Sequence, residues 1–212
     1  AIFIVRPADA NGNQTYTGDG SNGFYIWGTQ VEQGSFATSY IPTSTSQVTR
    51  IEDTAYMDGT NFTSWYNPTE GTLFSMYRSG YYSSECPVGL TLSSSEINNV
   101  IALASSSSGP IPGAVQTFSI LDSGVAQSGL SGSTIPADNE LTKAAGAYKL
   151  NDIAFSTKGE IYTDNSGTIP TVDLLRIGKY PYYGIWHNRP IARIMYYARS
   201  LPTNQLQNLT AP

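Results

Sequence analysis

Cysteine, histidine and charged residues are all scarce in this chain. Its 212 residues include one cysteine, Cys86, and one histidine, His187, and only 13% of them are charged. A single cysteine cannot form an intrachain disulfide, and one cysteine with one histidine cannot supply the ligands of a usual zinc site. The low charge also argues against a disordered chain and against a helical protein, because both are usually richer in charged residues.

Long apolar runs and positive patches are missing as well. No apolar stretch approaches the roughly 20 residues of a membrane-spanning helix, so we expect no membrane insertion. The net charge is −5 without a basic cluster, which makes nucleic acid a poor partner. The first residues, AIFIVRPADANG, lack the basic start and long apolar stretch of a signal peptide. They are typical of a strand entered in mid-domain, which favours a fragment of a longer protein.

Tyrosine, serine, threonine and glycine are abundant, as in half-exposed strands joined by polar turns. Strand patterns cover residues 2–5 and 24–32, and a polar stretch at residues 43–49 then marks a boundary. Beyond it, short strand patterns recur at a spacing of ~8–12 residues, which is typical of an antiparallel β-sandwich or barrel. These strands are expected at residues 73–77, 100–104, 115–121, 141–148, 151–157, 160–163, 174–177 and 191–197.

Two turns and one helix complete the expected secondary structure. Lys158-Gly159 and Asn165-Ser166-Gly167 are turns of the kind that close β-hairpins. Pro202 can begin a short C-terminal helix, because proline is tolerated at a helix start, and Leu206 and Leu209 would then pack down onto the sheet. The fold class predicted is therefore all-β, an antiparallel sandwich with one short C-terminal helix.

A recognisable pattern begins with YIWGTQVEQGSFATSYIPT at residues 25–43, followed by VTR at residues 48–50. It resembles a segment of bacteriophage tail-fibre and tailspike proteins. In those proteins the segment closes a carbohydrate-binding-module-like jelly roll and leads into a concanavalin A-like (laminin G-like) sandwich. The resemblance implies the terminal strands of a preceding jelly-roll domain at residues 1–42, a linker at 43–50 and a concanavalin A-like sandwich at 51–212.

Further motifs resemble that following sandwich, in the same order along the chain. They are Asn61–Asn67, Glu70–Thr72, Ala145–Tyr148, Asn151-Asp152, Thr163–Val172, Arg176–Gly178, Ile191–Tyr197, Leu201 and Gln205–Thr210. Residues 78–140 match nothing in this pattern, and the serine run at 105–108 is expected to be a mobile loop. Where the family often has an Asn-Gly-His-Ile turn before the last strand, this chain has Asn188-Arg189-Pro190-Ile191.

The resemblance implies a distal module of a phage adsorption device. Such proteins are typically homotrimers that assemble with other tail proteins, and their lectin-like modules bind host-surface glycan or cap the trimer. The expected ligand is therefore capsule or lipopolysaccharide, and the expected location is the virion, at the distal tail fibre or tailspike. Synthesis in the host bacterial cytoplasm agrees with the missing disulfides, because that compartment is reducing.

Two aromatic clusters suit carbohydrate binding, since aromatic rings stack on the apolar faces of sugars while polar groups bind the hydroxyls. Consecutive aromatic residues in a loop with glycine and proline cannot all point into a core. Packing against a sister chain of a trimer and plain loop packing are the alternatives. The candidate carbohydrate-binding residues are Tyr81 and Tyr82 in the first cluster, and Tyr180, Tyr182, Tyr183, Trp186 and His187 in the second.

Catalysis is not expected. Retaining glycosidases place two carboxylates about 5–5.5 Å apart, which alternate residues of one strand can supply. Asp138 and Glu140 have that spacing but lie in a loop with proline, and Glu52-Asp53 are adjacent. Nucleophilic catalysis would have to use His187, and no Gly-x-Ser-x-Gly motif is present. We expect His187 to be an exposed loop residue and Cys86 to be half-buried.

No cofactor is expected, although calcium is a candidate because lectin-like sandwiches often bind it through carboxylate, amide and backbone oxygens. The candidate ligands are Asp152, Asp164 and Asn165. The alternative is that these are turn residues whose side chains bond their own backbone. Trp27 and Trp65 lie on family motifs with strand patterns, and both are expected to be core residues.

Overall fold

The computed structural model places most of the second half of the chain and parts of the first. It describes residues 12–13, 25, 27–31, 40–42, 45–46, 48–49, 55–80, 85–91, 93–94, 97–106, 115–180, 185–187 and 189–212. The chain divides into two compact units, residues 1–52 and 53–212. Few residues of the first unit are described, so its expected jelly-roll strands, including the one at residues 2–5, lie largely outside the described part.

The second unit consists of short strands with two short helices. Its elements, in chain order, are β1 (Ala55–Met57), α1 (Gly59–Thr63), β2 (Glu70–Arg78), β3 (Glu85–Thr91), β4 (Val100–Ser106), β5 (Val115–Asp122), β6 (Val125–Ser131), β7 (Leu141–Lys149), β8 (Asp152–Thr157), β9 (Glu160–Asp164), β10 (Leu174–Ile177), β11 (Lys179–Tyr180), β12 (Ile185–Trp186), β13 (Ile191–Tyr197) and α2 (Thr203–Thr210).

Two antiparallel sheets form a sandwich, which confirms the predicted fold class. One sheet has six strands in the order β1-β10-β3-β4-β5-β6, and the other has five in the order β13-β2-β7-β8-β9. Among the strands that the structure describes, β11 and β12 pair with each other and with no other strand. Antiparallel sheets commonly bury one face and leave the other to solvent. For this reason apolar and polar residues alternate along the strands.

The main core lies between the two sheets. In β5, the side chains of Gln116, Phe118 and Ile120 are buried while their neighbours are only partly so, as expected when alternate residues share a face. Phe118 stacks on Phe155 of the opposite sheet with ring centroids 6.4 Å apart. Gly146 of β7 lies directly against the Phe118 ring, which leaves no room for a side chain there. The core is therefore packed around the large Phe118 ring, which faces a glycine that has no side chain.

A second apolar cluster lies on the outer face of the five-stranded sheet, under α2. Leu206 is fully buried there and packs with Leu201 and Phe74, as the sequence predicted for this helix. The Thr210 hydroxyl lies 2.6 Å from that of Ser156 and holds the end of the helix. α2 contacts β7, β8 and β9 of this sheet.

Aromatic side chains close the end of the sandwich at which β2 begins. Phe62 of α1 is fully buried, and Trp65 packs edge-on against it with centroids 4.9 Å apart. The Trp65 indole donates a hydrogen bond to the Asn61 carbonyl. Trp65 is thus partly buried against the core, in agreement with the sequence. Trp27, in contrast, is 84% exposed, so its assignment as a core residue is wrong.

Tyrosine hydroxyls in this same end are sealed from water. Tyr148 and Tyr196 have hydroxyls 3.1 Å apart, and the backbone N–H of Asn67 donates to that of Tyr196. Burial raises the pKa values of Tyr148 and Tyr66 well above the usual 10.0, because a phenolate would be poorly solvated there. Both side chains therefore stay protonated in the folded protein.

We expect the buried tyrosines to make the fold sensitive to alkali. Their pKa values are raised by folding, so they contribute full stability below pH 10.0 and lose it as the pH rises above that value. Absorbance at 295 nm should show that they ionise only on unfolding. Tyr148→Phe keeps the ring but removes the hydroxyl, so the free energy of unfolding should fall less steeply above pH 10 than in the wild type. Tyr56→Phe changes an exposed ring and should leave this pH dependence unchanged. An unchanged dependence in Tyr148→Phe would contradict this account.

Most of the predicted strands and the helix are confirmed within one to three residues, but four local expectations are wrong. Trp27 to Val31, expected in a strand, have no strand structure. Ser105 and Ser106 belong to β4 rather than to a loop. Asn165-Ser166-Gly167 is not a hairpin turn, because it begins the crossing from β9 to β10 in the other sheet. The strands β1, β3, β6, β11 and β12 and the helix α1 were not anticipated. Lys158-Gly159 does close a hairpin, with both residues at positive φ.

No helix among the described residues is both long and apolar enough to cross a membrane.

Candidate carbohydrate-binding site

Both aromatic clusters belong to connections at one end of the sandwich, here called the loop end. Because antiparallel neighbours run in opposite directions, successive strands of the chain alternate between the two ends. The loop end is where β2, β4, β6, β8 and β10 finish and where β3, β5, β7, β9 and β13 begin. The connection with Tyr81 and Tyr82 joins β2 to β3, and the one with Tyr180 to His187 joins β10 to β13.

The β11–β12 hairpin is attached to β3. Gly178 turns the chain with a positive φ of 75°, and its N–H donates to the Pro87 carbonyl at 3.0 Å. The N–H of His187 then donates to the Gly178 carbonyl at 2.8 Å, which closes the base of the hairpin. Both hairpin strands contact β3, which begins immediately after residues 81–84. The hairpin that carries Tyr180 and Trp186 therefore lies beside the strand that follows residues 81–84 in the chain.

Three of the seven candidate residues lie in the described part of the chain. The backbones of Tyr180 and Trp186 form the hairpin strands. His187 is half-buried rather than exposed, and its ring stands edge-on to Tyr77 with centroids 5.2 Å apart. Its ring therefore packs the hairpin against β2. The remaining candidates, Tyr81, Tyr82, Tyr182 and Tyr183, lie outside the described residues.

The floor of the loop end is polar although it is buried. Ser79 and Thr142, both buried, join their hydroxyls at 3.0 Å, and the N–H of Ser79 donates to the Glu140 carbonyl. Gln116 is only 1% exposed, and among the residues that the structure describes neither its amide oxygen nor its amide nitrogen has a hydrogen-bond partner. An unpaired buried amide costs about 1–3 kcal/mol.

Gln116 was missed in the sequence, although its spacing could have revealed it. In β5, Gln116 shares the inward face with Phe118 and Ile120, so strict alternation places an amide in the core. Gln116 is the second residue of β5, and because β5 begins at the loop end, this side chain lies beneath it.

Two ion pairs flank the loop end. Arg189 binds Asp138 at 2.9 Å, and Lys158 binds Glu140 at 3.0 Å. Burial raises the pKa of Glu140, but the Ala137 N–H and the Lys158 ammonium lower it by more, so this carboxyl is ionised. The two carboxylates that have glycosidase spacing thus bind two different cations. Arg189 is one of them.

The other groups considered for chemistry have structural partners. Asp164 accepts hydrogen bonds from the N–H and hydroxyl of Ser166, as a turn residue does. Among the residues that the structure describes, no group of three or more His, Cys, Asp or Glu is placed to hold a metal ion. Cys86 is fully buried rather than half-buried, and burial raises the pKa of its thiol far above the usual range.

Comparison with known proteins supports the fold at low sequence identity. No protein-family model and no curated protein sequence matches this chain. Among solved structures, the CBM40 domain of a Ruminococcus gnavus IT-sialidase, bound to α2,3-sialyllactose, is 12% identical with a TM-score of 0.54, covering 68% of this chain and 84% of that one.

Two further solved structures have the same architecture. A SAP-like pentraxin from Limulus polyphemus is 11% identical with a TM-score of 0.51, covering 69% of this chain and 73% of that one. The mouse laminin α1 domains LG4-5 are 12% identical with a TM-score of 0.51, covering 71% of this chain and 40% of that one. At such identities the likeness shows the fold alone. The chain has the concanavalin A-like, laminin G-like fold, an antiparallel two-sheet β-sandwich with a short C-terminal helix.

Proposed function

We propose that this chain is a non-catalytic carbohydrate-recognition module whose binding site is the loop end of the sandwich. The observation that supports the proposal is the attachment of the β11–β12 hairpin, which carries Tyr180 and Trp186, to β3, the strand that follows Tyr81 and Tyr82 in the chain. Aromatic rings and a polar floor are the two kinds of surface that a sugar needs. The fold supports it as well, since a structure of similar fold is described as a CBM40 domain bound to α2,3-sialyllactose.

The biological setting we propose comes from the resemblance at residues 25–43 and in the later motifs. It places the module at the distal end of a phage tail fibre or tailspike, in a homotrimer attached to other tail proteins. The ligand is then a host-surface glycan of the capsule or lipopolysaccharide. The proposal that the module is not an enzyme is supported by the ion pairs of Asp138 and Glu140, which hold the two carboxylates on separate cations.

The test is a binding screen of the purified protein, in its native oligomeric state, against capsule and lipopolysaccharide fragments. Trp186→Ala and Tyr82→Ala each remove one candidate ring, and we expect about tenfold weaker binding, equivalent to ~1.4 kcal/mol. Tyr56→Ala is the matched control, because Tyr56 is an exposed ring of β1 outside the loop-end connections. Folding and oligomeric state are confirmed for each variant first.

Three outcomes would contradict the proposal. Binding that is weakened equally by Tyr56→Ala would show a nonspecific loss. No binding to any host glycan, together with dissociation of the oligomer by Trp186→Ala, would identify the aromatic hairpin as a trimer contact and the module as a structural cap. Hydrolysis of a bound oligosaccharide, detected by mass spectrometry, would show that the protein is an enzyme.

A further inference from the structure

A pocket lies on the opposite side of the five-stranded sheet from the core, beside the C-terminal helix. α2 contacts β7, β8 and β9, and the outward-facing side chains of the edge strand β13 lie beside it. Between the flank of α2 and the end of β13 is a pocket of about 290 Å³. Ligand pockets are usually about 300–1,000 Å³, so this one is sized for a single sugar ring or two.

The lining combines the three kinds of group that an acidic sugar requires. Tyr197 contributes an aromatic ring, Arg199 a guanidinium, and Gln205 and Asn208 two amides, while Leu201 and Leu209 complete the wall. Within the part of the chain that the structure describes, no hydrogen bond or ion pair engages the side chains of Arg199, Gln205 or Asn208. These polar groups are therefore ready to bind an external partner.

The backbone around Arg199 is held rigidly, although its side chain is free. The Thr72 hydroxyl donates to the Arg199 carbonyl at 2.9 Å and accepts from the Leu201 N–H at 2.9 Å. The Ser200 N–H donates to the Glu70 carboxylate at 3.3 Å. A fixed backbone lowers the entropic cost of binding, because only the side chain has to be ordered.

We propose that this pocket binds a saccharide that carries a carboxylate. The Arg199 guanidinium pairs with the carboxylate, since its planar donors match two carboxylate oxygens. The Tyr197 ring supports the apolar face of the sugar, and the amides of Gln205 and Asn208 bind its hydroxyls. This site is separate from the loop end and does not depend on the function proposed there.

The local charge favours an anion although the whole chain is negative. Arg193 lies on the same outward face of β13 as Met195 and Tyr197 and adds a second positive charge along this edge. Glu70, the nearby carboxylate described above, already accepts a backbone hydrogen bond. An acidic saccharide is thus favoured over a neutral one by charge and by the fork of donors at Arg199.

The experiment compares a hyaluronan hexasaccharide, which carries glucuronate, with a neutral N-acetylglucosamine hexasaccharide by isothermal titration calorimetry. We expect the acidic probe to bind at least tenfold more tightly. Arg199→Gln should weaken its binding about tenfold or more, and Asn208→Ala severalfold. Arg193→Gln is the matched control, because it removes the same charge from the same face without lining the pocket, and its effect should be under threefold.

Other results would overturn the proposal. They are absence of acidic-probe binding at millimolar concentration, equal affinity for the neutral probe, and equal effects of Arg199→Gln and Arg193→Gln. Arg199 and Asn208 are both exposed, so we expect their variants to fold normally, and thermal unfolding of each variant checks this. Trp186→Ala should leave this binding unchanged, so the two sites can fail independently. Loss in Trp186→Ala but not in Arg199→Gln would assign the binding to the loop end instead.

Discussion

Gly146→Ala should destabilise the protein by about 3 kcal/mol, the upper end of the cost of overpacking a core. Gly146 lies at the centre of β7, and an added methyl group would overlap the ring of Phe118. That ring is fully buried and stacks near Phe155, so it has little space into which it could move. The sheet itself would have to shift, because the backbone of β7 is paired on both sides.

The measurement is urea denaturation, with the free energy of unfolding extrapolated to water. Gly129→Ala is the matched control, because Gly129 also lies in a strand but has no atom within 4 Å of the added methyl group. Its effect should be small. The double variant Gly146→Ala with Phe118→Leu should recover part of the loss, since the smaller side chain makes room. Equal destabilisation by Gly146→Ala and Gly129→Ala would show that the close contact with Phe118 does not govern this site.

Leu206→Ala should cost about 3 kcal/mol as well, within the range found for large-to-small core substitutions. Leu206 is the fully buried side chain of α2, and it is packed between Leu201 and Phe74. An eight-residue helix has little stability of its own, so its attachment to the sheet depends on this contact. Hydrogen exchange along α2 should therefore become much faster in this variant.

The matched control is Asn204→Ala, on the exposed side of the same helix. It should leave the free energy of unfolding nearly unchanged, because alanine also favours the helix. If Leu206→Ala lowered stability without faster exchange in α2, the helix would be held mainly by its polar contacts, such as that of Thr210 with Ser156. Binding at the Arg199 pocket should weaken together with the helix, since α2 supplies one wall.

The two proposed binding sites use different parts of the same sandwich. The loop end lies at the tips of the strands, whereas the Arg199 pocket lies on an outer sheet face beside α2. A module with both could contact two positions of one branched or acidic glycan, and a second contact within one molecule raises the apparent affinity through effective concentration. The cross-controls Trp186→Ala and Arg199→Gln separate these contributions.

Local sequence determined the strands in which alternation and turn residues agree. β5 could be predicted because Phe118 and Ile120 alternate with polar residues, and the β8–β9 hairpin because Lys158-Gly159 tolerates positive φ. β3 and β6 were missed because ECPVGLT and VAQSGLS have weak alternation, with glycine in each. Their strand structure depends on the neighbours with which they pair.

The sequence by itself determined an all-β sandwich, its C-terminal helix and two aromatic segments of candidate sugar-binding residues. Tertiary structure alone decided that the β11–β12 hairpin attaches to β3, that Gln116 is buried without a partner among the described residues, and that Arg199 faces the flank of α2. The physical reason is that strand order and sheet pairing join residues far apart in the chain, and a periodic pattern specifies which face a residue occupies but not what lies opposite it.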